Sequence, residues 1–374
     1  MCNPDILRLS CRNFRSYGTL SLSFSSRFVV FFGENGSGKT NILEAISLFS
    51  SGRGLRKAAL ADLNSIKAAP FSWNLELILK KNEYKNFLFT SAQSGHRLAK
   101  IDGSPPSSLA KFDEMMWILW VVPSMNNIFV GPSADRRSFF DHLVFGYDKS
   151  HKTALKNLAK LQKERLHVIF YRKDEAWLDI LEKEIAEENV RITKSRLLFI
   201  ETLEETFAEH PSDFLRPIIS ISGTIEQIYK THGEENAVWE IADTLKKHRF
   251  TDSERQSTSI SCQKTFWQAD HPKTALESEQ CSTGEQKAFL ISIILAALRI
   301  YQKMHARVPV LLLDDLMMYL DKFRRKNLVD ELISMNVQTF FTGTDRNLFE
   351  DLTNNAQIYH VQKSICTAIP TTIT

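Results

Sequence analysis

Apolar and polar positions alternate at the start of the chain. Ile6 to Ser10 and Leu20 to Phe24 set one against the other at period two, the pattern of strands with one face in a core, and Phe28 to Phe32 is an unbroken apolar run of strand length. Gly33-Glu34-Asn35-Gly36-Ser37-Gly38-Lys39-Thr40 follows at once, and then Ile42, Leu43, Ile46 and Phe49, which share one helix face. The order predicted is strand, glycine loop, helix. From about His151 to Phe207 Gly and Pro are absent and Lys, Glu, Leu and Ala are abundant, which predicts helices packed side by side. Thr251 to Gln280 is polar, contains Asp270-His271-Pro272 and reads as loop. Val308 to Leu313 and Val337 to Phe341 are apolar runs expected to be buried parallel strands, with helical text before and between them. No internal repeat or low-complexity tract is visible. The expected fold class is α/β, with a sheet-bearing part over 1–110, a mainly helical lobe over 111–215 and a second sheet-bearing part over 216–374.

Composition narrows this picture. The 374 residues suggest two or three lobes at about 150 residues each, and 25 Phe with 24% charged residues exclude a disordered chain. The strongest apolar runs, Met115 to Val122 and Phe289 to Leu298, fall short of the ~20 residues needed to cross a bilayer, so no membrane span is expected. Asp5, Arg8, Arg12 and Arg15 interrupt the apolar residues of the first sixteen positions, unlike a secretory signal, and a cytosolic protein is expected. Five cysteines (Cys2, Cys11, Cys262, Cys281, Cys366) without a C-x-x-C pair read as reduced thiols. A net charge of +3 does not by itself imply a nucleic-acid partner.

Three stretches carry candidate chemistry. Gly33 to Thr40 satisfies G-x-x-x-x-G-K-[ST]: Gly33, Gly36 and Gly38 let the backbone N–H groups and the following helix end surround nucleotide phosphates, Lys39 reaches the β and γ phosphates, and the Thr40 hydroxyl holds Mg²⁺. Chance matches occur in unrelated glycine loops, but here both the strand before and the helix after are expected. Val310 to Leu313 ends in Asp314-Asp315, carboxylates at the edge where open α/β sheets bind ligands. Asp314 would contact Mg²⁺ through its water shell, and Asp315 sits where a water-activating carboxylate is needed, one methylene shorter than Glu. Either Asp alone would read as an acidic turn. Ser282-Thr283-Gly284-Glu285-Gln286-Lys287 precedes a long apolar helix, so Ser282 and Gly284 lie at a helix N-terminus able to take an anion. The plainer reading, a capping box of Ser282 and Glu285, fits equally well. Arg136-Arg137, Lys246-Lys247-His248-Arg249 and Arg324-Arg325-Lys326 read as solvated charges more than as phosphate contacts. The ten His show no metal-ligand spacing.

The order glycine loop, Ser-x-Gly helix, acidic strand, then Leu320-Asp321 resembles the ABC-type ATPase heads, in which the Ser-x-Gly helix of one protomer caps the γ-phosphate held by the other. The long stretch from Lys39 to Ser282 is unlike transporter subunits, and about 60 helical residues are too few for the coiled coil of SMC proteins. Arg12-Asn13-Phe14-Arg15-Ser16-Tyr17, Gly33 to Ile46, Gly131-Pro132 with Arg136 to Asp141, Ser282 to Lys287, Leu311 to Asp315 and Gln338 to Asp345 together resemble the RecF family of bacterial DNA replication and repair proteins. The likeness runs from about residue 6 to Leu348. A Gly-x-His-Arg-x-Asp block usual in that family has no match at Ser259 to Ala269.

The resemblance implies an ABC-type ATPase head (a P-loop NTPase) with an inserted helical lobe. It implies ATP and Mg²⁺ bound between two copies in an ATP-dependent homodimer, with Asn13, Arg15, Asn35 and Asn41 joining the glycine loop at the nucleotide and Ser282 and Gly284 coming from the partner. It also implies double-stranded DNA and ssDNA–dsDNA junctions as partners, RecR with RecO as companions, slow DNA-stimulated hydrolysis through Asp315, and no membrane. One alternative is a transporter-type ATPase subunit, which would need a membrane partner. An ATPase–nuclease fusion is disfavoured because too little chain follows Asp345. A third alternative, a switch protein whose nucleotide controls dimerisation with little hydrolysis, stays open.

Overall fold

The computed structural model describes residues 5–65, 72–81, 83–93, 95–172, 174–274, 276–305, 309–352 and 355–370. Cys2 and Val308 lie outside them. In chain order the first elements are β1 (Asp5–Phe14), β2 (Tyr17–Ser23), β3 (Phe28–Phe32), α1 (Lys39–Ser47), β4 (Asn74–Lys81), β5 (Tyr84–Gln93), β6 (His96–Ile101), α2 (Ala110–Met115) and β7 (Ile118–Val121). Then come α3 (Ser133–Tyr147), α4 (His151–His167), α5 (Glu175–Glu209), β8 (Ile218–Ser222), α6 (Thr224–Lys247), α7 (Arg249–Arg255), β9 (Phe266–Asp270) and α8 (Thr283–His305). The last are β10 (Val310–Leu313), α9 (Lys322–Ser334), β11 (Thr339–Gly343), β12 (Ala356–Gln362) and β13 (Ile365–Ile369).

Two compact units divide the chain: residues 1–125 with 301–374, and residues 126–300, the division falling inside α8. The first unit holds two sheets. One is antiparallel with order β2-β1-β4-β5-β6. The other has order β13-β12-β3-β11-β10-β7 and is parallel except for the β12–β13 pair. Central parallel strands are covered on both faces and so read as unbroken apolar runs: Val29, Val30 and Phe31 are fully buried, as is every residue of β10 and β11. Ile42, Leu43 and Ile46 of α1 join Ile6, Leu9 and Phe14 of β1 and Leu75 and Leu77 of β4 in one core with β3. Gln338 pins the edge of that core, its side chain exchanging two hydrogen bonds (2.7 and 3.0 Å) with the backbone of Ile6.

The second unit is built on α4, α5 and α6. The Lys- and Glu-rich text over 151–207 forms α4 and α5, as its composition predicts, with Leu158, Ile185, Ala186 and Ile192 in the seam. Inside it, the guanidinium of Arg165 meets Glu182 at 2.9 Å and Asp252 at 2.6 Å, and all three side chains are buried. Removing Arg165 would leave the buried Asp252 carboxylate without its cation, a loss of about 3–5 kcal/mol, while Glu182 would keep Arg249. The expected helical lobe shares residues 126–215 with this unit, which extends to Ile300 because α6 and α7 pack on α4 and α5.

Thr251 to Gln280 is more ordered than its polar text predicts. Thr251 to Arg255 belong to α7, and Phe266 to Asp270 form β9, paired antiparallel with β8. Trp267 and Ala269 alternate with half-buried neighbours, a short period-two signal hidden among polar residues. Ser259 to Ala269, where the family block is missing, closes on buried groups: Cys262 O and Thr265 Oγ1 accept from Arg196, and Asn189 accepts from Cys262 N.

Among the described residues α8 is the one helix long and apolar enough to cross a membrane by length and composition; 72% of its most apolar stretch is buried within the protein.

Candidate nucleotide site

Gly33 begins the loop that leaves β3, and its N–H donates to Gly343 O of β11 at 3.1 Å. Three loop glycines take positive φ: Gly33 at 151°, Gly36 at 79° and Gly38 at 112°. Two of them also allow close approaches. A Cβ on Gly33 would lie 2.1 Å from Val361 O, and one on Gly38 would lie 2.8 Å from the Tyr17 hydroxyl, which donates to Gly38 O at 3.1 Å. The loop therefore turns tightly into α1, whose free N–H groups point back toward it.

Lys39 is buried and folded onto its own loop, donating to Gly33 O at 2.7 Å and Glu34 O at 2.9 Å. Burial pushes its pKa down, while Asp315 and Asp314 oppose that shift. Thr40 donates to Asp314 Oδ1 at 2.9 Å, and Thr342 of β11 donates to the same oxygen at 2.7 Å. Asp314 is thus fixed by residues from two distant parts of the chain. Its carboxyl is raised above the usual carboxylate range, chiefly by burial, and the two hydroxyls counter this only in part.

Asp315 takes φ 51°, the left-handed region that a non-glycine residue rarely adopts. Its N–H donates to Thr342 Oγ1 at 2.9 Å, while its Oδ1 is buried and meets no hydrogen-bond partner among the described residues. Ser37 Oγ in the loop is likewise buried and unpartnered. Orphaned buried oxygens are uncommon; at this edge the Ser37 hydroxyl can donate to a phosphate oxygen, and the Asp315 oxygen can accept from a water or a hydrated cation. Thr40 and Asp314 form an all-oxygen pair suited to Mg²⁺. No cluster of three His, Cys, Asp or Glu side chains able to hold a metal ion occurs among the described residues.

The other expected nucleotide contacts are placed as follows. Arg15 grips Glu44 of α1 with two bonds (2.8 and 2.6 Å) and donates to Asp62 O. Asn13 is half-buried at φ 54°, and its carbonyl accepts from Ser65 N. Asn35 lies exposed on the loop, and Asn41 donates to Ser16 and accepts from Arg56. Thr342, Glu44 and Arg56 are additions that the motifs do not announce. Arg56 reaches Glu44 at 3.3 Å, and its charge acts on Asp314. The one available signal was Glu44 itself, a carboxylate set within the apolar run Ile42, Leu43, Ala45 and Ile46 of α1.

In the second unit Ser282 and Glu285 close a capping box at the start of α8. Ser282 N and Oγ donate to Glu285 Oε2 at 2.8 and 2.7 Å, and Glu285 N donates to Ser282 Oγ at 3.3 Å. These bonds hold the Glu285 carboxyl below its ordinary value. Ser282 is exposed, Gly284 half-buried, and Gln286 anchors the turn through Ser278 O and Cys281 O.

Arg136, Arg137 and Arg249 differ from the solvated charges expected, whereas Lys246, Lys247 and Lys326 are exposed as expected. Arg136 is 2% exposed and donates to Ile128 O, Phe129 O, Trp267 O and Glu279, with Phe266 under its guanidinium. Arg137 donates to Thr265 O, Arg249 meets Glu175, Asp179 and Glu182, and Lys246 meets Asp179. Carbonyls and carboxylates brought in by folding, invisible in the local text, draw these arginines in.

Glycine loop, Ser-x-Gly helix and acidic strand edge, in this order on these elements, define a P-loop ATPase head of the ABC type with an inserted helical lobe. Residues 8–355 match the family described as AAA domain. The DNA replication and repair protein RecF of Rickettsia felis is 34% identical over 96% of this chain and 98% of its own length, and that of Rhizobium etli is 32% identical over 96% and 97%. Among solved structures, the recombination mediator protein RecF with ATP superposes with a TM-score of 0.85 at 22% identity, covering 98% of this chain and 99% of that one. An Smc head domain from Pyrococcus furiosus gives 0.56 at 18% identity, covering 98% and 96%. The chain belongs to the RecF family.

Proposed function

We propose that this protein is an ATP-dependent DNA-binding protein of replication and recombinational repair. In this reading ATP joins two copies of the chain, the dimer clamps double-stranded DNA beside a single-stranded gap, and slow hydrolysis releases it. RecO and RecR are the proposed companions in loading recombinase, in the cytosol. The observation that carries the reading is the convergence of Thr40 and Thr342 on Asp314 beside the orphaned Asp315 oxygen.

On binding, the Lys39 ammonium exchanges the carbonyls of Gly33 and Glu34 for the β and γ phosphates. Loop N–H groups and the α1 N-terminus take the remaining phosphate oxygens. Thr40 and Asp314 would hold Mg²⁺, which when bound neutralises phosphate charge. Asp315 accepts a proton from, and so orients, the attacking water; its short side chain supports slow turnover. Ser282 and Gly284 of the second copy would cap the γ phosphate, Ser282 turning its hydroxyl from Glu285. Asn13, Arg15, Asn35 and Asn41 are proposed to frame the nucleotide, Arg15 by holding α1 through Glu44.

Sedimentation with and without ATP and Mg²⁺, repeated with a gapped duplex, tests this. A monomer that becomes a dimer on ATP and then takes up the duplex supports it; ATP binding without dimer or DNA uptake would refute it.

A further inference from the structure

One face of the antiparallel sheet packs on the core, and the other is open. The pairing register builds rows across it: Ser21, Ser10, Glu76, Phe89 and Lys100 lie side by side, and the next row sets Arg8, Ile78 and Phe87 together. A depression of about 410 Å³ lies here, lined by Phe87, Phe89, Ile78, Arg8, Lys100 and the exposed Glu76. Phe87 is 55% exposed, a large amount for an aromatic ring in mid-strand. Phe87 and Phe89 are two positions apart on one strand face, about 7 Å along the chain.

The charge on this face is one-sided. Arg8, held by Ser21 through two hydrogen bonds, Arg12, Lys85 and Lys100 form no ion pair with the described residues. Against them stands Glu76. Asp5 at the edge is paired with Arg27, and Asp102 at the far turn is occupied by Asn86 and Phe87 N. An open sheet with two aromatic rings in a row, bordered by unpaired cations, suits a strand of stacked bases between phosphates better than a duplex, whose bases are closed to stacking.

We propose that this open face is a binding platform for single-stranded DNA, with bases stacked on Phe87 and Phe89 and phosphates on Arg8, Arg12 and Lys100. The inference rests on nucleic acid as the partner proposed above, but not on the nucleotide-dependent dimer, since every residue it uses lies in one unit of one chain. It gives the single strand of a gap its own seat, distinct from the duplex clamp.

The test is fluorescence anisotropy of labelled oligo(dT) in the absence of nucleotide, at several salt concentrations. The parent should bind with a salt-dependent affinity. The double variant Phe87→Ala, Phe89→Ala should weaken binding by about tenfold or more, whereas Phe87→Tyr, Phe89→Tyr, which keeps the rings, should not. Arg12→Glu with Lys100→Glu should weaken binding and flatten its salt dependence. ATP-dependent dimerisation of the Ala variant should match the parent's, so failure of the platform and failure of the clamp are separate results. No oligo(dT) binding by the parent, or equal binding by the Ala and Tyr variants, would overturn the proposal. So would phosphatidylserine vesicles that bind the parent and lose the Ala variant while oligo(dT) affinity stays unchanged.

Discussion

The edge of the parallel sheet and the start of α8 are built on opposite principles. At the sheet edge, Thr40, Asp314 and Thr342 come from distant parts of the chain, Lys39 is held back by its own loop, and two buried oxygens, on Ser37 and Asp315, meet no hydrogen-bond partner among the described residues. At the start of α8, Ser282 and Glu285 satisfy each other within one turn. The first arrangement holds unmet polar capacity in place and so reads as a site by itself. The second is complete without a ligand. It becomes a site only if something draws Ser282 away from Glu285, which is what a γ phosphate held by a second copy would do.

The sharpest way to break the contrast is at the sheet edge. Lys39→Ala should weaken ATP binding by a factor of about 100 or more, because charged hydrogen bonds contribute about 1.5–3 kcal/mol each and the residue would make two. Isothermal titration checks this, and unchanged affinity would mean the loop is not a phosphate cradle. Asp315→Asn should leave ATP binding intact and slow turnover by about 10²-fold or more, since the side chain keeps its shape and loses its basicity. The ATP-bound dimer of that variant should therefore outlive the parent's on gel filtration.

At α8, Ser282→Arg should cost the free protein about 0.5–2 kcal/mol of stability through the lost cap while leaving ATP affinity unchanged. The ATP-dependent dimer should be lost altogether. A smaller effect concerns charge at the two places. Burial raises the Asp314 carboxyl, so its ionised form weakens the free protein above the ordinary carboxylate range, and the weakening fades as pH falls through the raised value. Asp314→Asn should accordingly melt no lower than the parent at neutral pH without ligand, yet gain nothing from ATP with Mg²⁺. The capping box holds Glu285 below its ordinary value, so its contribution is present above that value and is lost as pH falls through the lowered one. Glu285→Gln should remove that small acid-side slope from the melting curve.

The contrast also marks what the sequence makes legible. Phe28 to Phe32, the glycine loop, Val310 to Asp315 and the Lys- and Glu-rich helices stand where period and composition put them, because local text decides a buried strand, a tight turn and an amphipathic helix. The antiparallel strands β4 to β6 and the β8–β9 pair are not among the predicted elements: Leu75 and Leu77 of β4 and Ile219 and Ile221 of β8 do alternate with polar residues, but these runs are short and their pairing is set by distant partners. The fate of Arg136 and Arg249 was equally hidden, since each acceptor comes from elsewhere in the chain. At the nucleotide site the motif residues were legible, whereas Thr342, the residue that fixes Asp314, lies in a strand whose text says only that it is buried.

The central claim, a site assembled from two chains, meets its most direct test in a mixture of two variants. Lys39→Ala keeps a normal Ser282, and Ser282→Arg keeps a normal glycine loop, so each variant alone should show neither an ATP-dependent dimer nor ATP turnover. Combined, the Lys39 of one and the Ser282 of the other complete one intact site per mixed dimer. ATP turnover measured on the equimolar mixture should therefore reappear, together with a dimer in sedimentation. A mixture as inactive as its two components would contradict the composite site and leave Ser282 as a helix cap alone.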